Sequence, residues 1–163
     1  MKRISLPRDG WHHFKPCRVY NVLEAWNAVT NSLILATNTT VVSSETACEL
    51  LRKIAAQSVG RPVTVVLDNA RYQYCQVVQD LAQVLGIELL FLPSYSPNLN
   101  LIERLWKFVK KNALRGRYYP TFADFRAGID DCLAQIETTH RPVLATLMTH
   151  NFQTFDNVSL LAG

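Results

Sequence analysis

Two carboxylates, Asp68 and Glu103, stand where acidic side chains could do chemistry. Asp68 ends the apolar run "VTVVLD" (63–68), and Glu103 lies near the start of the helical pattern "LIERLWKFVKKNAL" (101–114). A carboxylate at the end of a strand either caps the helix that follows or binds a charged group. Two carboxylates at one edge of a sheet are suited to Mg²⁺ or Mn²⁺, which take oxygen ligands and keep several waters for a phosphate substrate.

A strand, helix, strand unit must bring these carboxylates together. The run 63–68 is typical of a buried parallel strand covered on both faces, and "IELLFLP" (87–93) predicts a second one. Between them lies a helical stripe that ends at Gly86, a residue suited to the position after a helix. The stripe consists of Val77, Val78, Leu81 and Leu85. A right-handed crossover makes the two strands parallel, so we expect Asp68 and the loop before Glu103 at the same sheet edge.

Two strands and a helix are predicted before the strand, helix, strand unit. The segments "RVYNVLEAWNAV" (18–29) and "SLILATNTTVV" (32–42) are rich in β-branched and aromatic residues and predict a β-hairpin that turns at Thr30–Asn31. From Ser43–Ser44 the apolar period becomes helical and ends before Gly60. The inward positions of this helix are Ala47, Leu50, Leu51, Ile54 and Ala55.

Helices follow the unit. The pattern 101–114 predicts a helix with Ile102, Leu105, Trp106 and Val109 on its buried face, and we interpret Trp106 as core packing. A further helix is expected from about Thr121. Its inward positions are Phe122, Phe125, Ile129, Leu133 and Ile136. The residues after Arg141–Pro142 predict one more helix.

The positive charge of the chain is local. The whole sequence has 17 Lys and Arg against 13 Asp and Glu, yet the segment 104–117 has six basic residues and no acidic one. These are Arg104, Lys107, Lys110, Lys111, Arg115 and Arg117. Such a concentration favours a surface that faces a polyanion, although a solvated basic helix face is the alternative.

Composition narrows the class of protein. A length of 163 residues with 48% hydrophobic content predicts one domain with a real core. The sequence has no run of about 18 apolar residues and no signal-peptide pattern, which predicts a cytoplasmic protein without membrane contact. Four scattered cysteines without a CxxC pair predict neither a zinc site nor a disulfide framework.

Two motifs carry a family resemblance. The segments "VVLDNARYQ" and "LLFLPSYSPNLNLIERLWKFVKK", with Asp68 and Glu103 35 positions apart, resemble the catalytic domain of mariner-superfamily insertion-sequence transposases. This DDE domain is ribonuclease-H-like and related to retroviral integrases. The resemblance implies an α/β fold, a ribonuclease-H-like mixed sheet flanked by helices that lacks its first central strand. It divides the chain into an irregular segment (1–17), a partial catalytic domain (18–155) and a tail (156–163).

The resemblance also implies roles for particular residues. Asp68 matches the family's second catalytic aspartate, and Glu103 matches its final acidic residue. The motif loop that positions the last helix corresponds to Asn69, Tyr95, Ser96, Pro97 and Asn100. The implied chemistry is phosphoryl transfer on DNA by two Mg²⁺ or Mn²⁺ ions held by three carboxylates, with the basic segment against DNA phosphates.

The first of the three carboxylates is missing from the family's position. A short strand "KRISL" precedes Asp9, but Pro7 and Gly10 interrupt the segment. Glu24 stands where the family usually has glycine, and a charge inside a sheet is costly unless it has a partner. Asp9 and Glu24 are the two candidates for a substitute ligand.

Three functions remain open from the sequence. The first is the catalytic-domain portion of a DNA transposase, impaired by the missing aspartate, which acts on transposon ends and target DNA. The second is a non-catalytic remnant that binds DNA or a partner, either as a homodimer or with a full-length transposase. The third is a ribonuclease-H-like nuclease with a substitute third ligand.

Overall fold

The computed structural model describes residues 18–68, 70–93 and 100–149 in full and residues 2–5 by their backbone. Strands and helices alternate in its middle part, and helices close the chain. In order they are β1 (Lys2–Ser5), β2 (Val19–Asn27), β3 (Ser32–Asn38), α1 (Ser44–Gln57), β4 (Val63–Leu67), α2 (Gln76–Val84), β5 (Ile87–Phe91), α3 (Leu101–Val109), a π-helical turn (Lys110–Leu114), α4 (Phe122–Ala134) and α5 (Arg141–Leu147).

The described strands form two sheets. One is antiparallel, in the order β1-β2-β3, and the other is the parallel pair β4-β5. The parallel register runs from Val63 beside Ile87 to Leu67 beside Phe91. The ladder continues by one bond, in which Leu92 N donates to Leu67 O at 2.8 Å. The predicted parallel crossover is therefore confirmed.

The hairpin of β2 and β3 turns where the sequence predicts. Asn31 has φ 55°, a left-handed conformation that asparagine tolerates better than most residues. The Asn27 side chain stabilises the turn, because its Oδ1 accepts from Val29 N at 2.9 Å and from Thr30 N at 3.1 Å. This turn fixes the register that places Glu24 opposite Leu35.

The N-terminal segment differs in part from the prediction. Lys2–Ser5, within the segment expected to be irregular, pairs with β2 as an antiparallel strand. Asp9 lies outside the described residues. The domain division at 18 and 155 and the missing central strand stay predictions.

Strand β2 is buried on both faces and separates two hydrophobic clusters. Because side chains alternate along a strand, Tyr20 and Val22 share one face, and they pack with residues of α3, α4 and α5. Leu23 points to the opposite face and packs with α1, α2 and β5. Glu24 therefore shares the face of Tyr20 and Val22, toward α3.

Two details of the predicted parallel unit are wrong. Strands β4 and β5 are not covered on both faces, since Val66 is 53% and Leu90 is 52% exposed. In α2 the buried residues are Val78 and Ala82, whereas Val77 is 62% exposed because it lies at the margin of the stripe. The sequence pattern could not reveal which strand face lacks a covering layer.

The predicted α3 helix is confirmed, with an altered end. Asn100 is its N-cap, and Asn100 Oδ1 accepts from Ile102 N at 3.0 Å. Beyond Val109 the helix widens into a π-helical turn, in which Arg115 N donates to Lys110 O at 2.8 Å. Leu105, Trp106, Phe108 and Val109 are buried, whereas Ile102 is only partly buried.

The last two helices also agree with the sequence. Thr121 caps α4 in a capping box with Asp124, whose backbone N donates to Thr121 Oγ1 at 3.1 Å. Helix α5 begins at Arg141. The free cysteines Cys48 and Cys132 are buried in the clusters. None of the helices in the described ranges has the length and apolar character needed to cross a bilayer.

Gly128 of α4 supplies a test of this packing. A Cβ at Gly128 would overlap the Tyr119 ring, whose Oη donates to Ala113 O. We expect Gly128→Ala to lower the free energy of unfolding by about 1–3 kcal/mol, although helix propensity alone would raise it by up to about 1 kcal/mol. Denaturant unfolding measures the change, with the exposed Ala127→Ser as the control. A gain in stability for Gly128→Ala would contradict the close packing.

Candidate functional site

Asp68 directly follows β4 and is held by the segment after it. A turn in which Gln73 N donates to Ala70 O at 2.9 Å brings the buried Gln73 side chain back toward the strand end. With its amide nitrogen toward Asp68, Gln73 donates to the Asp68 carboxylate and, at 2.8 Å, to the Asp68 backbone carbonyl. Its oxygen then accepts from Tyr72 Oη at 3.2 Å. The carboxylate is therefore oriented by its own loop.

The helix-capping interpretation of Asp68 is wrong. Helix α2 begins at Gln76, and its N-cap is Cys75, seven residues beyond Asp68. The turn through Ala70 and Gln73 occupies the interval. Asp68 thus ends a strand without capping a helix.

Glu103 lies in the first turn of α3. Its backbone N donates to Asn100 O at 3.1 Å, and the Asn100 side chain caps the same turn. A carboxylate in the first turn of a helix is favoured by the helix dipole. Asn100 therefore caps α3, and the expected role of the motif loop in positioning this helix stays a prediction. Asn69, Tyr95, Ser96 and Pro97 lie outside the described residues.

Glu24 is a buried carboxylate of β2. It is 8% exposed, and its Oε1 accepts a hydrogen bond from Trp106 Nε1. Within the described ranges Oε2 has no hydrogen-bond partner. Trp106 is 1% exposed, so the prediction of core packing is confirmed, with a polar contact that the sequence pattern did not indicate.

The pKa of Glu24 depends on its burial and on nearby charges. Burial raises the pKa of Glu24 from 4.5 to about 7, the Trp106 hydrogen bond opposes this, and the Asp68 and Glu103 charges raise it further. Burial also raises the pKa of Tyr72, and the charges of Asp68 and Glu24 add to it. The charges of Asp68 and Glu103 therefore both act on Glu24.

The raised pKa of Glu24 predicts how the free energy of unfolding varies with pH. The folded protein holds the Glu24 proton up to about pH 7, whereas the unfolded chain loses it near the ordinary value of 4.5. The free energy of unfolding should thus fall as pH rises through this window, by on the order of 3 kcal/mol. The glutamine side chain of the Glu24→Gln variant has no proton to lose, so this variant should not show the decrease in the free energy of unfolding. Urea unfolding at several pH values measures it, with the exposed Glu45→Gln as the control that keeps the wild-type slope.

The donor atoms at this edge fit a hard divalent cation. Across the described side chains, no three His, Cys, Asp or Glu residues are close enough to hold one ion. Magnesium, however, commonly takes only one or two protein carboxylates and completes its shell with water and substrate phosphate. The oxygen donors of Asp68 and Glu103 suit that mode, and the unpartnered buried oxygen of Glu24 is a further donor.

The basic segment is divided between two roles. Lys107, Lys110, Lys111, Arg115 and Arg117 are exposed. The lysines follow Glu103 by four, seven and eight positions, so they continue the same side of the helix. Arg104 instead donates to Leu147 O at 3.2 Å and to Thr149 O at 2.7 Å, at the end of α5. Its contacts are therefore structural in this conformation.

A cleft elsewhere on the molecule does not coincide with these residues. It has a volume of about 430 Å³ and lies at the amino ends of β4 and β5, between Ser58 and Gly86. Asp68 follows the opposite, carboxyl end of β4. Arg61 is the charged residue of the cleft lining, so the cleft has no acid-base pair.

Reasoning from the sequence missed Gln73, because a glutamine in a turn is ordinary. It did single out Glu24, because this residue is a charge among the apolar residues of β2. The structure adds the Trp106 contact, which joins residues 82 positions apart.

Comparison with known proteins finds one matching family and several similar structures. Residues 11–126 match a family model described as DDE superfamily endonuclease. The catalytic domain of Mos1 mariner transposase is similar in structure, with a TM-score of 0.64 and 16% identity over 90% of this chain and 72% of that chain. The Mos1 catalytic domain with raltegravir and Mg has a TM-score of 0.59 and 16% identity, over 90% and 77%.

A retroviral assembly is also similar. A chain of the simian T-cell lymphotropic virus intasome in complex with PP2A regulatory subunit B56 gamma has a TM-score of 0.51 and 19% identity over 69% of this chain. The present chain spans 41% of that chain's length. No curated protein matches. At these identities the structural similarity establishes the fold, and the predicted ribonuclease-H-like α/β class is confirmed.

Proposed function

Because the chain belongs to the DDE superfamily endonuclease family, we propose that it is the catalytic-domain portion of a DNA transposase, with Asp68 and Glu103 as catalytic carboxylates. The observation that carries the proposal is the position of the two carboxylates, since Asp68 directly follows β4 and Glu103 lies in the first turn of α3. It supports their placement at one edge, where β4 ends and α3 begins.

The cofactor of the proposed reaction is Mg²⁺ or Mn²⁺, two ions in the complete site of the family. A similar structure contains the Mos1 catalytic domain with Mg. When bound, such ions lower the pKa of an attacking water or hydroxyl and stabilise the charge on the leaving oxygen. In the net reaction a new phosphorus–oxygen bond forms to water or a DNA 3′-hydroxyl, and a backbone phosphorus–oxygen bond breaks.

The residues around the carboxylates have supporting roles in this proposal. Gln73 holds the Asp68 carboxylate by hydrogen bonds, as the outer partners of cation-binding carboxylates do. Asn100 fixes the first turn of α3 and with it the direction of Glu103. The loop residues Asn69, Tyr95, Ser96 and Pro97 remain proposed parts of this scaffold.

DNA is the proposed substrate, as transposon ends and target. Lys107, Lys110 and Lys111 extend from Glu103 along one side of α3 and its π-helical turn, with Arg115 and Arg117 beyond them. Phosphates that contact this side would lie next to the carboxylates. Arg104 is assigned to the same surface only if its contacts with the end of α5 are released.

We further propose that the activity of this chain alone is impaired. Two of its carboxylates match the family's positions, and catalysis of this kind depends on placement to within about 1 Å. A slow, metal-dependent nicking activity is the expected result. Homodimer formation and association with a full-length transposase remain predictions about its partners.

Supercoiled plasmid tests the proposal, because a single nick converts it to the open circle. The purified chain should nick it slowly with MnCl₂ and not with EDTA. A chain that binds the plasmid and never nicks it with MnCl₂ would favour the non-catalytic remnant. Equal nicking with EDTA would contradict the metal-dependent site.

A further inference from the structure

Tyr74 is an exposed aromatic residue at the carboxyl ends of the parallel strands. It is 59% exposed, and its ring packs against the ring of Phe91, with centroids 4.8 Å apart and planes inclined at 65°. Phe91 is the last residue of β5, and its partner in the parallel register is Leu67, the residue before Asp68. The Tyr74 ring therefore lies beside the end of β5, one strand away from the point where Asp68 follows β4.

The turn after Asp68 fixes the backbone of Tyr74. The Ala70 carbonyl oxygen accepts from Gln73 N at 2.9 Å and from Tyr74 N at 3.1 Å, so this segment makes one helical turn. The Tyr74 carbonyl oxygen accepts from Gln79 Nε2 at 2.9 Å. Both backbone polar groups of Tyr74 are thus bonded, and its ring extends into solvent from a fixed position.

Arg71 lies on the same side of this turn. Residues three positions apart in a helical turn are neighbours on its surface, and Arg71 and Tyr74 have this spacing. Burial agrees, because these two residues are exposed, whereas Tyr72 is partly buried and Gln73 is buried. The solvent side of the turn therefore combines an aromatic ring with a guanidinium group.

An aromatic ring beside a cation suits one nucleotide of a single strand. Bases stack on the rings of exposed aromatic side chains, and arginine binds the phosphates of the same strand. A base inside a duplex has both faces covered by its neighbours, so a protruding ring can stack only on an unpaired or terminal base. The lysines proposed to contact DNA phosphates lie on other elements, α3 and its π-helical turn.

We propose that Tyr74 and Arg71 bind one unpaired nucleotide of the DNA substrate beside Asp68. The base stacks on the Tyr74 ring, and a phosphate of the same strand contacts Arg71. This role rests on the proposed function, which makes DNA the substrate and Asp68 a catalytic residue. The turn that holds the Asp68 carboxylate through Gln73 then also holds the strand next to the bond that is cut.

Fluorescence anisotropy with labelled duplexes tests the proposal by affinity, without any activity measurement. One duplex is blunt, a second has a single-stranded thymine extension, and a third has the same extension built from abasic nucleotides. Two sets place the extension on one strand or on the other. In at least one set, wild type should bind the thymine extension about 5-fold or more tightly than the abasic one, because one stacked base contributes about that much. Equal affinities in both sets would overturn the proposal.

Variants of Tyr74 show whether this preference for bases comes from its ring. Tyr74→Leu removes the aromatic ring and keeps an apolar side chain against Phe91, so it should lose the preference and bind the blunt duplex like wild type. Tyr74→Phe keeps the ring and should keep the preference. The matched control is Tyr118→Leu, which removes an exposed tyrosine from the loop before α4 and should also keep it. A preference that survives in Tyr74→Leu, or that falls equally in Tyr118→Leu, would contradict the site.

Arg71→Gln tests the phosphate contact separately. The phosphates are present in both extensions, so this variant should weaken binding of the thymine and abasic extensions by a similar factor. The slope of log affinity against log salt should fall by about 0.7, the value for one phosphate of a single strand. Unchanged affinity for both extensions would overturn the pairing of Arg71 with Tyr74.

The outcomes separate this site from the proposed function. If wild type binds the blunt duplex but does not distinguish thymine from abasic extensions, the stacking site is overturned and the proposed function stands. If wild type binds none of the duplexes, DNA fails as the substrate, and the stacking site fails with it. Urea unfolding shows whether Tyr74→Leu is folded. If it is not, Tyr74→Met replaces it, and a preference for bases that Tyr74→Met keeps would overturn the stacking site.

Discussion

Asp68→Asn is expected to lower the rate of Mn²⁺-dependent plasmid nicking by about 100-fold or more. Metal-ion catalysis contributes several kcal/mol to transition-state stabilisation, and each 1.36 kcal/mol is about tenfold in rate. Asparagine keeps the size of the side chain and an oxygen that can accept from Gln73, but it loses the charge that a cation requires. The change should therefore affect the rate far more than stability.

The matched control for this prediction is Asp80→Asn. Asp80 is an exposed aspartate on α2, and its Oδ1 accepts from Gln76 Nε2 at 2.8 Å. The nicking rate of this variant should be within about twofold of wild type. A rate for Asp68→Asn equal to that of Asp80→Asn would contradict the catalytic role of Asp68. Urea unfolding of both variants shows whether they remain folded.

The second large effect concerns DNA binding. Replacement of Lys107, Lys110 and Lys111 by glutamine should reduce duplex DNA affinity on the order of 100-fold at about 0.1 M salt. These side chains are exposed, so their removal leaves the core unchanged. Removal of one lysine that binds a phosphate should reduce the slope of log affinity against log salt by about one, and the triple variant should reduce it by about three.

A second triple variant with the same change in net charge tests whether DNA binds a particular surface of the protein or responds only to net charge. Arg52, Lys53 and Arg61 are also exposed and lie on α1 and the loop before β4. Their joint replacement by glutamine removes the same charge but should leave the salt slope near that of wild type. Fluorescence anisotropy with a labelled duplex at several salt concentrations measures both. Equal reductions of affinity in the two variants would show that net charge, and no particular surface, binds DNA.

Local patterns predicted most of the elements. The helical stripe and capping residues of α4, the turn at Asn31 and the glycine after α2 each depend on neighbours within a few positions. Such features are encoded by residues that interact along the chain, so the printed sequence contains them. The exposed face of β4 and β5 was not predictable, because its cover depends on elements distant in sequence.

The sequence by itself determined which carboxylates are candidates and predicted that they share one sheet edge. An apolar strand that ends in Asp68, a crossover of the usual hand and a helix that begins before Glu103 are enough for that placement, since parallel strands end on the same side of a sheet. The concentration of basic residues after Glu103 is likewise visible in the sequence alone. These are properties of composition and order.

Only the tertiary structure decided what surrounds them. The bond of Glu24 to Trp106 crosses 82 positions, the contact of Arg104 with Thr149 crosses 45, and the return of Gln73 to Asp68 depends on a turn. Whether a charged side chain is solvated, paired or left with an unshared oxygen depends on packing between distant elements. The sequence showed that Glu24 is unusual, and the fold showed that it is buried and bonded to Trp106 through one oxygen.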